Sequence, residues 1–136
     1  MKITVQTNLR GESGCILGGR YKTIYEADED IDFILTPTPY RMWSLKITRN
    51  SILWIEVFVS DSQITKLKLK LKKHDSSSII CPSKEPIMFF GHPAGIYLSC
   101  TDEGLLEVID ENHHRFILGI DYSVFDEAYR RGKEQL

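Results

Sequence analysis

The residues with most chemistry to offer cluster around one hairpin. Glu56 stands between Trp54 and Phe58 in an otherwise apolar run. A carboxyl among aromatic rings loses hydration, which raises its pKa and equips it as a general acid. If Arg49-Asn50 forms a two-residue turn, Thr48 faces Ser51, Trp43 lies opposite Glu56, Leu45 meets Trp54 and Ile47 meets Ile52. Arg41 then sits diagonally across from Glu56, where a guanidinium would instead hold the carboxylate ionised. Arg41, Trp43, Trp54 and Glu56 therefore read either as a structural ion pair near a sheet edge or as a tryptophan-lined pocket for a small ligand. No second carboxylate has a placement beside Glu56, so hydrolysis of a glycoside by paired carboxylates finds no support.

The second constellation is acidic: Glu26, Asp28, Glu29, Asp30 and Asp32. The spacing Asp28-x-Asp30-x-Asp32 matches the start of a calcium loop. Phe33, however, occupies the position where that loop needs glycine, and Pro39 stands where the bidentate glutamate belongs. What is left is a solvated loop or an acidic face for a basic partner.

Lys66, Lys68, Lys70 and Lys72 alternate with Leu67, Leu69 and Leu71. As a strand over 64–73, this pattern sets four ammonium groups on one face about 7 Å apart. Such an edge resists sheet-to-sheet aggregation. Leucines rather than aromatics lie between the lysines, which disfavours single-stranded nucleic acid. Elsewhere the candidates are thin. His113-His114 would point to opposite faces of a strand, and His92 and Cys81 stand alone beside prolines. The glycines from Gly11 to Gly19 lack the Gly-Lys-Ser/Thr ending of a phosphate loop, and nothing assigns Cys15 a base. No metal and no cofactor is expected.

These residues must be positioned mainly by strands, because period-two alternation dominates the chain. Strands are predicted over 2–9, 20–26, 31–35, 41–48, 51–59, 64–73, 86–90, 95–100, 104–110 and 115–121. The hairpin of 41–59 carries apolar residues on both faces and should be covered on both sides. One helix ends the chain. Ser123 is its expected N-cap, Val124, Phe125, Ala128 and Tyr129 its apolar stripe, and Gly132 a point where the last turn frays. The fold class is mainly β (α+β): an antiparallel β-barrel, or a strongly bent sheet or sandwich, with one packed C-terminal helix.

The chain has 136 residues, 42% hydrophobic and 26% charged, the balance of one globular domain over 1–136. Net charge is −2, which gives no general attraction to nucleic acid or to a membrane. The charge is segregated: −2 over residues 1–40, +6 over 41–84 and −6 over 85–136. The first residues are polar and alternating, and the longest apolar stretch, Ile52 to Val59, is far short of the ~20 residues that span a bilayer. Three cysteines without a CxxC pair read as reduced thiols, so the cytoplasm is the expected compartment. Absence of a nucleophile–base pair argues against an enzyme. The sum points to a small protein-binding module, for example an immunity-type inhibitor neutralising a basic bacterial toxin domain by complementary charge. The alternative is a small-ligand-binding β-barrel built on Arg41, Trp43, Trp54 and Glu56. A homo-oligomer is compatible with either.

Overall fold

The computed structural model describes residues 1–8, 20–82, 96–110 and 114–135. Among these residues, eight strands and two helices follow in the order β1 (Lys2–Asn8), β2 (Tyr21–Asp28), β3 (Ile31–Thr38), β4 (Met42–Arg49), β5 (Ile52–Ser60), α1 (Asp61–Lys73), β6 (Tyr97–Cys100), β7 (Leu106–Ile109), β8 (Arg115–Leu118) and α2 (Tyr122–Lys133). The strands form two antiparallel sheets, one ordered β2-β1-β8-β7-β6 and one ordered β3-β4-β5. Among the described residues the two sheets do not close into a barrel. The strand expected over 86–90, the glycine-rich stretch with Cys15, and His92 and His113 lie outside the described residues.

Period-two alternation sends Ile3, Val5, Leu98, Leu106, Val108 and Leu118 to one face of the larger sheet. They meet Leu35, Trp43, Leu45, Ile47, Val57 and Val59 of the smaller sheet in a single buried cluster, completed by Ile64, Leu67 and Leu71 of α1 and Phe125 of α2. At about 25 cal/mol per Å² of apolar area removed from water, this shared core is the main force joining the layers.

The predicted strand over 64–73 is a helix. Alternating Lys and Leu fit a strand, but Ile64, Leu67 and Leu71 also recur at helical spacing and are the positions buried. The helix start decides between the two patterns. Ser60 Oγ accepts from the Gln63 N–H at 3.2 Å, and Gln63 Oε1 accepts from the Ser60 N–H at 2.9 Å, which together make a capping box. The four lysines therefore scatter around a helix instead of lining one face. Lys66 and Lys72 are exposed, whereas Lys70 is buried and donates through Nζ to the Asp75 carbonyl at 2.9 Å and Ser78 Oγ at 3.2 Å.

The hairpin register also differs from expectation. Asn50 and Ser51, at φ 53° and 67°, form the turn, and Arg49 pairs with Ile52. Two successive left-handed residues give a turn whose twist matches the strands. Trp54 is an extra residue in a bulge between the pairs Thr48–Leu53 and Ile47–Ile55. Beyond the bulge Trp43 opposes Val59, Leu45 opposes Val57, and Glu56 opposes Lys46. The expected pairing of Trp43 with Glu56 does not occur. One face is apolar and the other mixed, rather than both apolar.

The C-terminal helix is present and packs as predicted, with two local differences. Its N-cap is Asp121 rather than Ser123, since Asp121 Oδ1 accepts from the Val124 N–H at 3.0 Å. Gly132 does not fray; it is buried inside the last turn against Leu35 and Trp43. Phe125 stacks near Phe33 at 5.4 Å and Tyr129 near Trp43 at 5.1 Å, so α2 covers the β3 side of the smaller sheet.

Candidate functional site

The acidic stretch does not form a loop. Asp28 ends β2 in the larger sheet, Ile31 begins β3 in the smaller, and Glu29-Asp30 is the corner between them. The Asp-x-Asp-x-Asp spacing thus straddles two strands, which removes the geometry of a calcium loop.

Glu29 builds the corner. Its carboxylate accepts from Arg49 Nε, from Arg49 Nη2 at 2.9 Å, from the Tyr25 hydroxyl at 2.6 Å and from Asn50 Nδ2 at 3.3 Å. The fork of Arg49, seconded by the Tyr25 hydroxyl, holds the Glu29 carboxyl down to about 2. The same bond raises the Tyr25 phenol above its ordinary value. Arg49 also lies over the Trp54 ring at 5.2 Å, and Trp54 meets the edge of Phe116 in β8 at 5.0 Å. Two bonds of the corner backbone add to this: Asn50 N–H donates to the Asp30 carbonyl at 2.7 Å, and Asp30 N–H donates to the Asn50 side-chain Oδ1 at 3.2 Å. The β4–β5 turn is therefore fastened to the β2–β3 corner.

The five acidic side chains divide into two groups. Glu29 is spent on Arg49, and Glu26 is paired with Lys2. Asp28, Asp30 and Asp32 are exposed and make no ion pair with any described residue. Directly across the smaller sheet, Asp32 pairs with Thr48 and Thr48 with Leu53, which puts all three on one face. Asp32 and Leu53 are then about 10 Å apart, two strand spacings. Leu53 is 53% exposed and Ile52, at the hairpin tip, 71%. Asp32 thus shares a face with the exposed Leu53, Asp30 is bonded to the Asn50 turn beside the exposed Ile52, and Asp28 lies across from Lys2 at the end of β2.

Arg41, Trp43, Trp54 and Glu56 are not brought together. Arg41 is in the β3–β4 turn, where its carbonyl accepts from Asp61 N–H at 3.0 Å. Trp43 is buried, with its indole Nε1 donating to Asp61 Oδ1 at 2.5 Å. Trp54 belongs to the corner, and Glu56 is exposed on the opposite, mixed face, accepting from Ser44 Oγ at 3.1 Å with Lys46 4.0 Å away. Sequence reasoning overlooked Arg49 and Asn50 because their contacts with Glu29 span 20 and 21 positions, and it overlooked Tyr25, only four positions from Glu29, because that bond forms where β2 ends at the corner. The one available signal was Asn50, a residue that tolerates the left-handed conformation of a hairpin turn.

The charge blocks partly neutralise one another. Lys68 of the basic middle reaches Asp126 at 3.2 Å and lies 4.3 Å from the Tyr129 ring, while Arg49 answers Glu29. Among the described residues, no three His, Cys, Asp or Glu side chains gather as a set that could hold a metal ion, and no helix is long and apolar enough to cross a membrane. Compared with models of known protein families, with curated proteins and with solved structures, the chain matches none.

Proposed function

We propose that the chain is a non-catalytic protein-binding module that docks a basic protein surface on the corner of Asp28, Asp30 and Asp32, with Ile52 and Leu53 as apolar contacts. The carrying observation is the division within the acidic stretch. Glu26 and Glu29 have internal ion-pair partners, while Asp28, Asp30 and Asp32 are exposed and make no ion pair with a described residue. Exposed carboxylates steer a basic partner and set its orientation, and apolar residues beside them supply burial once contact is made. An inhibitor of the immunity type, covering a basic toxin domain without chemistry of its own, is the functional class that uses such a face. The free thiols Cys81 and Cys100 suit a reducing compartment, so the cytoplasm is the proposed location.

The test compares capture by the natural chain with capture by an Asp28→Asn/Asp30→Asn/Asp32→Asn variant, followed by native mass spectrometry of the eluate. The expected result is a stoichiometric basic protein held by the natural chain and lost from the variant, with unchanged circular dichroism. A partner held equally by both chains removes the corner as the docking site, and an acidic partner overturns the charge argument.

A further inference from the structure

The outward face of the five-stranded sheet holds a second feature, independent of the corner. Thr4, Ile117, Glu107 and Ser99 form one row across β1, β8, β7 and β6, and Gln6, Arg115 and Ile109 form the next. Over these rows lies a cleft of about 330 Å³, with Asp102 and Glu103 of the β6–β7 turn and Ser76 beyond α1 on its rim. That size is at the lower end of the ~300–1,000 Å³ of small-molecule sites. Ser76 Oγ donates to Asp102 Oδ1 at 2.5 Å, which fixes one rim to the other.

The floor is unusual for the outside of a sheet. Glu107 is only 5% exposed, with Oε1 3.2 Å from Arg115 Nε, and the Arg115 guanidinium lies 3.9 Å from the centre of the Tyr21 ring. A carboxylate offers about four acceptor positions. Among the described residues Arg115 is the only ion-pair partner of Glu107, and no described N–H or O–H donates to it. A buried carboxylate with spare acceptor capacity, opening on a cleft, calls for a donor. Burial pushes the Glu107 carboxyl upward, opposed by Arg115 and reinforced by Asp102, so a cation in the cleft would relieve that cost. The charges also choose the sign of the ligand. Glu107, Asp102 and Glu103 outnumber Arg115, whose guanidinium already faces Glu107 and Tyr21. Lys2, in an adjoining cleft, is matched by Glu26.

We infer that this cleft binds a small organic cation, with an ammonium or guanidinium group donating to Glu107 and Asp102 and polar atoms of the ligand meeting Gln6 and Ser99. An anionic ligand would need a cation not already committed to Glu107.

Agmatine, which carries a guanidinium and an ammonium, is the probe, and glutarate is the anionic counterpart. Both are titrated into the full chain by calorimetry and by amide chemical shifts. Agmatine should move the resonances of residues 99–107 and 115–117, with affinity lowered roughly tenfold or more in Glu107→Gln and severalfold in Asp102→Asn. Glutarate should leave the spectrum unchanged. The inference is overturned by no agmatine shift up to about 10 mM, by glutarate binding at these residues, or by unchanged agmatine affinity in Glu107→Gln. If Glu107→Gln does not fold, Asp102→Asn decides: unchanged affinity there overturns the site, and weakened affinity supports it.

Discussion

Gly132 of α2 lies so close to β3 that a methyl group on it would sit 2.6 Å from the carbonyl oxygen of Leu35, and equally close to the Trp43 ring. The Leu35 oxygen is backbone and has little room to retreat. Alanine is the better helix former by about 1 kcal/mol. Overpacking against a fixed wall costs about 1–3 kcal/mol and should exceed that gain. Gly132→Ala is therefore expected to lower the urea midpoint. A raised midpoint would mean that α2 can lift from β3 without penalty.

The corner makes a prediction about acid. Glu29 has its pKa lowered from 4.5 to about 2, first by Arg49 and then by Tyr25. A carboxyl depressed by folding contributes its full stability above the unfolded value of 4.5 and loses it as pH falls through about 2. Denaturation of the natural chain should weaken across that window. Glu29→Gln removes this dependence, so its own curve should be flatter there, and it should be the less stable chain at pH 7 because Arg49 loses its fork. Parallel acid limbs in the two chains would show that Glu29 is not the titrating group.

Lys70 is buried on α1, and its ammonium supports the segment after the helix through Asp75 and Ser78. Methionine keeps the length and removes the donor, leaving a carbonyl and a hydroxyl to find other partners. Lys70→Met should cost about 1–3 kcal/mol and speed hydrogen exchange in residues 75–80. Full stability with unchanged exchange would mean that water replaces the ammonium without loss.

Two of the cysteines should separate by reactivity. Cys81 is exposed, whereas Cys100 is 1% exposed and its thiol is pushed up by burial. Because the thiolate is the reactive form, a thiol reagent at pH 8 should label Cys81 under native conditions and Cys100 only on unfolding. Peptide mass spectrometry after timed labelling reads both sites. Equal rates would contradict the packing of β6 against α1.

Much of this fold was legible because alternation is a strong signal where one face is buried. Ile3 and Val5, or Leu106 and Val108, declare their strands without help from distant residues. Alternation misleads where a short segment satisfies both periods: Leu67, Leu69 and Leu71 alternate with lysines, while Ile64, Leu67 and Leu71 recur at helical spacing. There the start signal, Ser60 three residues before Gln63, carries the answer, since a helix must satisfy its first N–H groups. The register of β4 on β5 was less accessible: a bulge at Trp54 shifts every later pair, and nothing local announces it. The same holds for both candidate sites. Asp28, Asp30 and Asp32 are conspicuous as letters, but only folding reveals that Glu29 between them is committed to Arg49. Glu107 and Arg115 are eight positions apart and become neighbours only when β7 pairs with β8.

The fastening of the Asn50–Ser51 turn to the Glu29–Asp30 corner bears on how a partner would arrive. A tip held by one backbone–backbone bond, one backbone-to-side-chain bond and a guanidinium fork has little conformational freedom left to lose. Its ordering cost is met during folding rather than at the encounter. Association at this face would then be set by diffusion and orientation, with a rate constant that drops as ionic strength rises, and with little change in backbone shape between the lone and the occupied protein.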